Sequence, residues 1–257
     1  MIGPVRMVQR NALVYRRVWR GSAFSSFLQP TLFLLAMGLG VGAMIDAGGA
    51  TLPGGVRYVD FLAPGLLAAT AMQSASFESS WPVLGRFWWH RNYQAITATP
   101  MGVVDLVVGE LAWIAVRLTT IAVAFISVMF AFGIPRSWHV VFAIPAVVLT
   151  GLAFSAPIMA FAAAVKTGRG NVFNVLFRFV ITPLFLFSGV FFPIERLPDV
   201  LERLAWFTPL FHGVELARGL TLDSVPASWM VHVAFLFGLL AAGALVALWT
   251  FRRRLYA

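Results

Sequence analysis

The chain has 257 residues, of which 60% are hydrophobic and only 11% charged, with a mean hydropathy of +0.85. Soluble proteins average roughly 45–50% and 25% on the same counts, so a water-soluble globule is excluded and an all-α integral membrane protein is expected. The absence of cysteine excludes disulfides, thiolate metal sites and cysteine nucleophiles, and the net charge of +9 is read first as a topology signal rather than as a nucleic-acid interface.

Residues 5–20 read as an amphipathic interfacial helix. At the helical period Arg6, Arg10, Arg16, Arg17 and Arg20 fall within a sector of about 120°, while Val5, Met7, Val8, Val14, Tyr15, Val18 and Trp19 fill much of the other side. Leu13 intrudes on the basic face. The basic face suits lipid phosphates and the apolar face the acyl boundary. The pattern serves equally a topology anchor and a helix that also touches a cytoplasmic partner. The expected organisation is therefore a cytoplasmic interfacial segment over 1–26 and a six-span transmembrane domain over 27–257.

A helix needs about 20 apolar residues to cross a hydrocarbon core of about 30 Å. Six stretches qualify: 27–45, 59–82, 107–132, 140–165, 172–192 and 230–251. No small-residue cleavage site follows the first, so it is expected to be retained. Six spans put both termini on one side, together with Arg86, Arg91, Lys166, Arg169, Arg252, Arg253 and Arg254 and the five arginines of the first segment. The other side holds Arg57, Arg136, Arg196, Arg203 and Arg218, mixed with most of the acidic residues. The bias predicts cytoplasmic termini in a multi-pass plasma-membrane protein, and contact with anionic lipid rather than nucleic acid.

The loop after the second span interleaves Phe87, Trp88, Trp89 and Tyr93 with Arg86, His90 and Arg91. An interfacial aromatic belt has this composition. So does a short cytoplasmic helix that docks into another protein, and the loop is longer than a hairpin between spans requires. After the fifth span, Leu197, Val200, Leu201 and Leu204 sit at helical spacing, and Pro209 separates them from a second short apolar run at 210–220. Two half-length helices on one face predict a re-entrant external hairpin, which the membrane tolerates only where protein or water satisfies its backbone; a loop lying flat on the bilayer is the alternative.

Glu78, Glu110, Arg117 and Arg178 fall in or near the hydrocarbon, where ionisable residues are costly. Arg117 is the deepest. A structural ion pair of Arg117 with Glu110 or Glu78 is the favoured reading, over a substrate contact. His90, His139, His212 and His232 are scattered and show no metal-ligand spacing. A Walker A loop needs Gly-Lys-Ser/Thr, and the one lysine, Lys166, follows Val165. The chain is not expected to hydrolyse ATP by that route or to be an enzyme.

Three stretches carry a family resemblance: YVDFLAPGLLAATAM at 58–72, YQAITATPMGVVDLVVGE at 93–110, and the series FSGVFFPI, LP, TPL and ELARGL between 187 and 220. Together they resemble the ABC-2 (type V) permeases of ATP-binding-cassette exporters, nearest the branch of nodulation-factor (lipo-oligosaccharide) and daunorubicin-type drug exporters. The resemblance implies two nucleotide-binding ATPase subunits that bind ATP and Mg, none of it held in this chain, and a second copy of the permease or a related one. It implies that Arg86, Trp88, Trp89, His90, Arg91, Tyr93 and Gln94 form a coupling helix on the ATPase, and that Pro193, Glu195, Pro198, Pro209, Glu215 and Arg218 mark the re-entrant hairpin. Family loops often carry Glu where this chain has Gln94, which bears on any charged contact there. A membrane-embedded enzyme would need a clustered acid, base or metal set, and a secondary transporter inverted repeats or mid-membrane carboxylates; neither pattern stands out.

Overall fold

The computed structural model describes residues 2–47, 55–89, 92–165, 171–196 and 198–256. His90, Arg91, Lys166, Arg169 and Leu197 lie outside the described residues. All regular structure among the described residues is helical.

Three of the expected spans are single long apolar helices: α6 (Val103–Ala131), α7 (Val140–Ala164) and α12 (Trp229–Tyr256). The first residues of α6 are held by Asp105, whose Oδ2 accepts from the Gly102 N–H at 2.9 Å and offsets the unpaired donors of a helix start. On α12 only six of 28 residues are buried, on one stripe from His232 to Phe251. Phe237, Leu245, Val246 and Trp249 face outward, which suits acyl chains and not water.

The other apolar segments are built differently. Helix α1 (Ile2–Phe33) runs through a π-helical stretch, Leu34–Val41, into α2 (Gly42–Ala47). The expected boundary at residue 26 thus falls inside one unbroken helix. Helix α3 (Tyr58–Ser79) lies centrally against α6, α7 and α11 (Pro209–Leu222), with 17 of its 22 residues buried. After it come α4 (Trp81–Trp88) and α5 (Asn92–Thr97). The fifth segment is α8 (Val172–Leu176), a π-helical turn Phe177–Ile181, and α9 (Thr182–Phe187). Pro183 cannot donate to the carbonyl one turn back, and the helix widens there, with Thr182 Oγ1 donating to the Phe177 carbonyl at 2.9 Å. A 3₁₀ turn Ile194–Arg196, then α10 (Asp199–Trp206) and α11, make the expected pair of short helices between α9 and α12.

Small residues set the closest helix contacts, as is usual where lipid removes the hydrophobic drive. A Cβ on Gly213 would strike Thr150 of α7, and one on Gly243 would strike Pro157 of the same helix. These two contacts seat α11 and α12 on α7.

Candidate functional site

The segment α4–α5 forms a tight hairpin whose aromatic residues divide between inside and outside. Phe87 and Tyr93 point inward and, with Phe251 of α12, make a ring cluster with centroids 4.7–5.5 Å apart. Tyr93 is 0% exposed. Its hydroxyl donates to Glu110 Oε1 at 3.1 Å, and Arg86 forms an ion pair with Glu110 Oε2. Glu110 lies two turns into α6 and is 1% exposed. Burial, and then the Glu110 charge, push the Tyr93 phenol above its usual pKa, so it stays a donor. Burial opposes the charge on Arg86, but the oxygens of Tyr93 and Glu110 outweigh it and raise the guanidinium's pKa. The hairpin is bolted to α6 by an ion pair and a phenol, with Glu110 and Tyr93 buried and Arg86 partly so.

On the outer side of the hairpin, Trp89 is 72% exposed and Gln94 is also exposed. Trp88 is half-buried against the core. Gln94 Nε2 donates to the Phe87 carbonyl at 3.2 Å, tying α5 back to the end of α4. A glutamate could not donate there, which is a local reason for Gln at this position. Of the residues grouped as a coupling surface, Arg86 and Tyr93 therefore hold the hairpin from within, and Trp89 and Gln94 are presented outward.

The deep charges form two pairs rather than one cluster. Arg117 Nε donates to Glu78 Oε1 at 3.1 Å across α6 and α3, and its guanidinium lies 4.4 Å from the centre of the Tyr15 ring. Glu110, grouped with them from its helical spacing, belongs instead to Arg86. The reason is direction: a partner on another helix reaches it more directly than one seven residues along its own.

The N-terminal part of α1 packs lengthwise on the start of α6. Gly3 meets Asp105, Met7 meets Gly109, Asn11 Nδ2 approaches Glu110 at 3.5 Å and Tyr15 packs edge-on to Trp113 at 5.8 Å. The packing stripe thus includes residues 3, 7, 11 and 15, and Met7 and Tyr15 are its members from the apolar face expected from periodicity. Arg6, Arg16, Arg17 and Arg20 are exposed, and Arg10 is half-buried.

At the other end of the bundle Arg218 anchors the short helices. Its Nη2 donates to the Gly189 carbonyl at 2.8 Å, its Nη1 to Glu215 at 3.0 Å, and its guanidinium sits 3.8 Å from the Phe61 ring centre. Gly189 has φ 78°, a conformation that favours glycine and turns the chain after α9. Pro198 caps the start of α10 and Pro209 opens α11, where Thr208 Oγ1 accepts from the Phe211 N–H at 3.4 Å. Pro193 precedes the 3₁₀ turn and Glu195 lies within it.

Sequence reasoning missed two features here. His212 and His232 are both 2% exposed, and their Nδ1 atoms are 2.7 Å apart. Arg254, in the last turn of α12, donates to the final carbonyls of α7, Ala162 at 3.1 Å and Ala163 at 2.9 Å, and lies over Phe87 at 4.2 Å. A basic residue in a last helical turn was the available signal for Arg254; the sequence held none for the histidines. Among the described residues no three His, Asp or Glu side chains converge as a metal site would require.

An all-helical bundle with apolar outward faces and charges paired between helices is a multi-pass membrane protein. A family model described as ABC-2 type transporter matches residues 5–222, and the chain belongs to that family. It is 30% identical to nodulation protein J of Rhizobium leguminosarum bv. viciae over 247 residues, 96% of this chain and 93% of that protein. It is 31% identical to nodulation protein J of Neorhizobium galegae over 99% of this chain and 95% of that one. The Bradyrhizobium diazoefficiens protein of the same name is 32% identical over 96% and 92%.

Proposed function

We propose that this chain is the transmembrane subunit of an ATP-binding-cassette exporter in the bacterial plasma membrane. In this reading it has six spans with both termini cytoplasmic, works as a pair with a second copy or a related permease, and is driven by two separate ATPase subunits that bind ATP and Mg. It moves a lipid-linked, glycolipid or amphipathic drug-like molecule outward from the cytoplasm or inner leaflet. Family membership and relatives named for nodulation support export.

The observation that carries the mechanism is the Arg86–Tyr93–Glu110 triad beneath exposed Trp89 and Gln94. A segment with a rigid inner bolt and an exposed aromatic tip is suited to take force from an ATPase and pass it to α6. ATP-driven movement of the ATPases would shift α4–α5, and the permease would change its access state; substrate biases that change only through differential binding to the two states. The α10–α11 hairpin would line the external end, and the arginines on the open face of α1 would meet anionic lipid or the ATPase.

The test is co-expression with the candidate ATPase subunits, followed by copurification and ATPase measurement in liposomes. Trp89→Ala with Gln94→Ala should lower ATPase association or permease-stimulated hydrolysis at least severalfold while the permease inserts normally. Full coupling in that variant would defeat the assignment of α4–α5.

A further inference from the structure

A cavity of about 660 Å³ opens between α1, α4 and α6 on the side of the bundle where α4–α5 lies. Arg10, Arg86 and Arg117 line it, and Trp81, Trp89 and Trp113 are among its apolar lining. Its size lies within the usual range for small-molecule sites, which is roughly 300–1,000 Å³. Glu78 also lines it, and Glu110 stands behind the wall in its pair with Arg86. Three guanidiniums thus face two carboxylates, and the cluster carries one net positive charge. Such a charge attracts a monoanion, and more strongly where its side chains are partly buried than it would in bulk water.

The Arg117–Glu78 pair also lines a second cavity of about 400 Å³. That cavity continues along α3 past Thr70, Gln73 and Ser74, three polar residues at helical spacing. One ion pair therefore forms the partition between a cationic, tryptophan-walled chamber and a polar groove leading along the bundle. Arg117 also touches α1 through the Tyr15 ring, at the last position of the stripe that packs α1 on α6.

We infer that the cationic chamber binds the singly anionic headgroup of an amphiphile, with Arg10 and Arg117 on the headgroup and the tryptophans on the adjoining chain, and that the Arg117–Glu78 pair separates this site from the groove beyond. The inference rests on the exporter reading for its direction, but the binding itself needs only the permease. Guanidinium forks match phosphate, sulfate or carboxylate oxygens in two-point contact, and indole rings suit the boundary between a head and a chain. When the headgroup takes Arg117, Glu78 loses its partner, so occupancy and opening of the partition are linked.

The experiment is native mass spectrometry of the detergent-solubilised permease titrated with dioctanoyl phosphatidylglycerol, dioctanoyl phosphatidylcholine or inorganic phosphate. Phosphatidylglycerol is expected to bind at least tenfold tighter than phosphatidylcholine, and Arg10→Gln to remove that preference. Glu78→Gln, which deletes the competing carboxylate, should tighten phosphatidylglycerol severalfold, and this variant keeps the test open if Arg117→Gln fails to fold. Equal binding of the two lipids, or a preference unchanged in Arg10→Gln, would overturn the site. Displacement of the lipid by millimolar inorganic phosphate would show a free-anion site and overturn the amphiphile. Loss of ATPase coupling with lipid binding intact would instead count against the exporter reading alone.

Discussion

His212 of α11 and His232 of α12 share one hydrogen between Nδ1 atoms 2.7 Å apart. His212 Nε2 donates to the Trp206 carbonyl at 3.0 Å, which leaves its Nδ1 as an acceptor. His232 Nδ1 is then the donor and its Nε2 accepts from Ser228 Oγ at 3.2 Å. The ordered chain Ser228–His232–His212–Trp206 fixes the short helices to the last span. Replacing either histidine with leucine should cost about 1–3 kcal/mol, because a buried polar partner is stranded. The double replacement should cost less than the sum of the singles, as residues in one network do. Additive losses in detergent melting curves would show that the two rings act independently.

Tyr93→Phe removes one bond to a buried carboxylate and should lower stability by about 1.5–3 kcal/mol. Trp89→Ala, a few residues earlier but exposed, should stay within about 0.5 kcal/mol of the parent. Comparing the melting of these two variants checks the division of the segment into an inner bolt and an outer tip. Gln94→Glu should weaken the hairpin by replacing the amide that donates to the Phe87 carbonyl with an acceptor.

Arg117→Ala leaves Glu78 without its partner. For a fully buried pair the loss would be about 3–5 kcal/mol, and here it should be smaller because Glu78 keeps 26% of its side chain accessible. The exchange Arg117→Glu with Glu78→Arg should recover part of the loss. A swap with Glu110 should recover none, since that carboxylate serves Arg86. Melting of the four proteins tests both statements.

Between α6 and α7, His139 Nδ1 meets Asp223 Oδ1 at 2.7 Å. The hydrogen bond from His139, with a smaller contribution from Ser137, holds the Asp223 carboxyl below its ordinary pKa of 3.8. A depressed folded pKa means that the contribution is complete above the unfolded value and is lost as pH falls through the folded one. Acid titration of the melting temperature below about pH 4 should therefore show a decline that is weaker in Asp223→Asn. An identical acid limb in both proteins would remove any role for this contact.

The long spans were legible because twenty consecutive apolar residues leave no other structure in lipid: the expected 107–132, 140–165 and 230–251 lie on Val103–Ala131, Val140–Ala164 and Trp229–Tyr256. The pause between the short helices was legible from Pro209. Partner choice was not. Arg86 meets a residue 24 positions on, Glu78 one 39 positions on, and His212 one 20 positions on, and side-chain periodicity carries no information across such gaps. Periodicity also could not show that Phe87 and Tyr93 turn inward while Trp89 turns outward, since all three suit an interfacial belt. For α1 it located the arginines on one side of the helix but could not reveal that the opposite contact would be α6, because Gly3 and Asn11, two members of the packing stripe, are not apolar side chains.

The two ends of α6 are held differently. One is bolted to α4–α5 through Glu110; at the other, the Arg136 N–H donates to the Thr221 carbonyl of α11 at 3.1 Å, with Ser137 and His139 on Asp223 beside it. A helix of 29 residues is about 43 Å long at about 1.5 Å per residue. With its far end pinned it would act as a lever: from Glu110 to Ala131 it runs about 32 Å, and a push of about 3 Å at Glu110 would tilt it by about 5°, on the same geometry. The torque would then fall on the pinned contacts, which lie at the C-terminal end of α11. Under the proposed coupling, motion begun at Trp89 would be delivered to Thr221 and Asp223, at the other end of α6, without any helix having to bend.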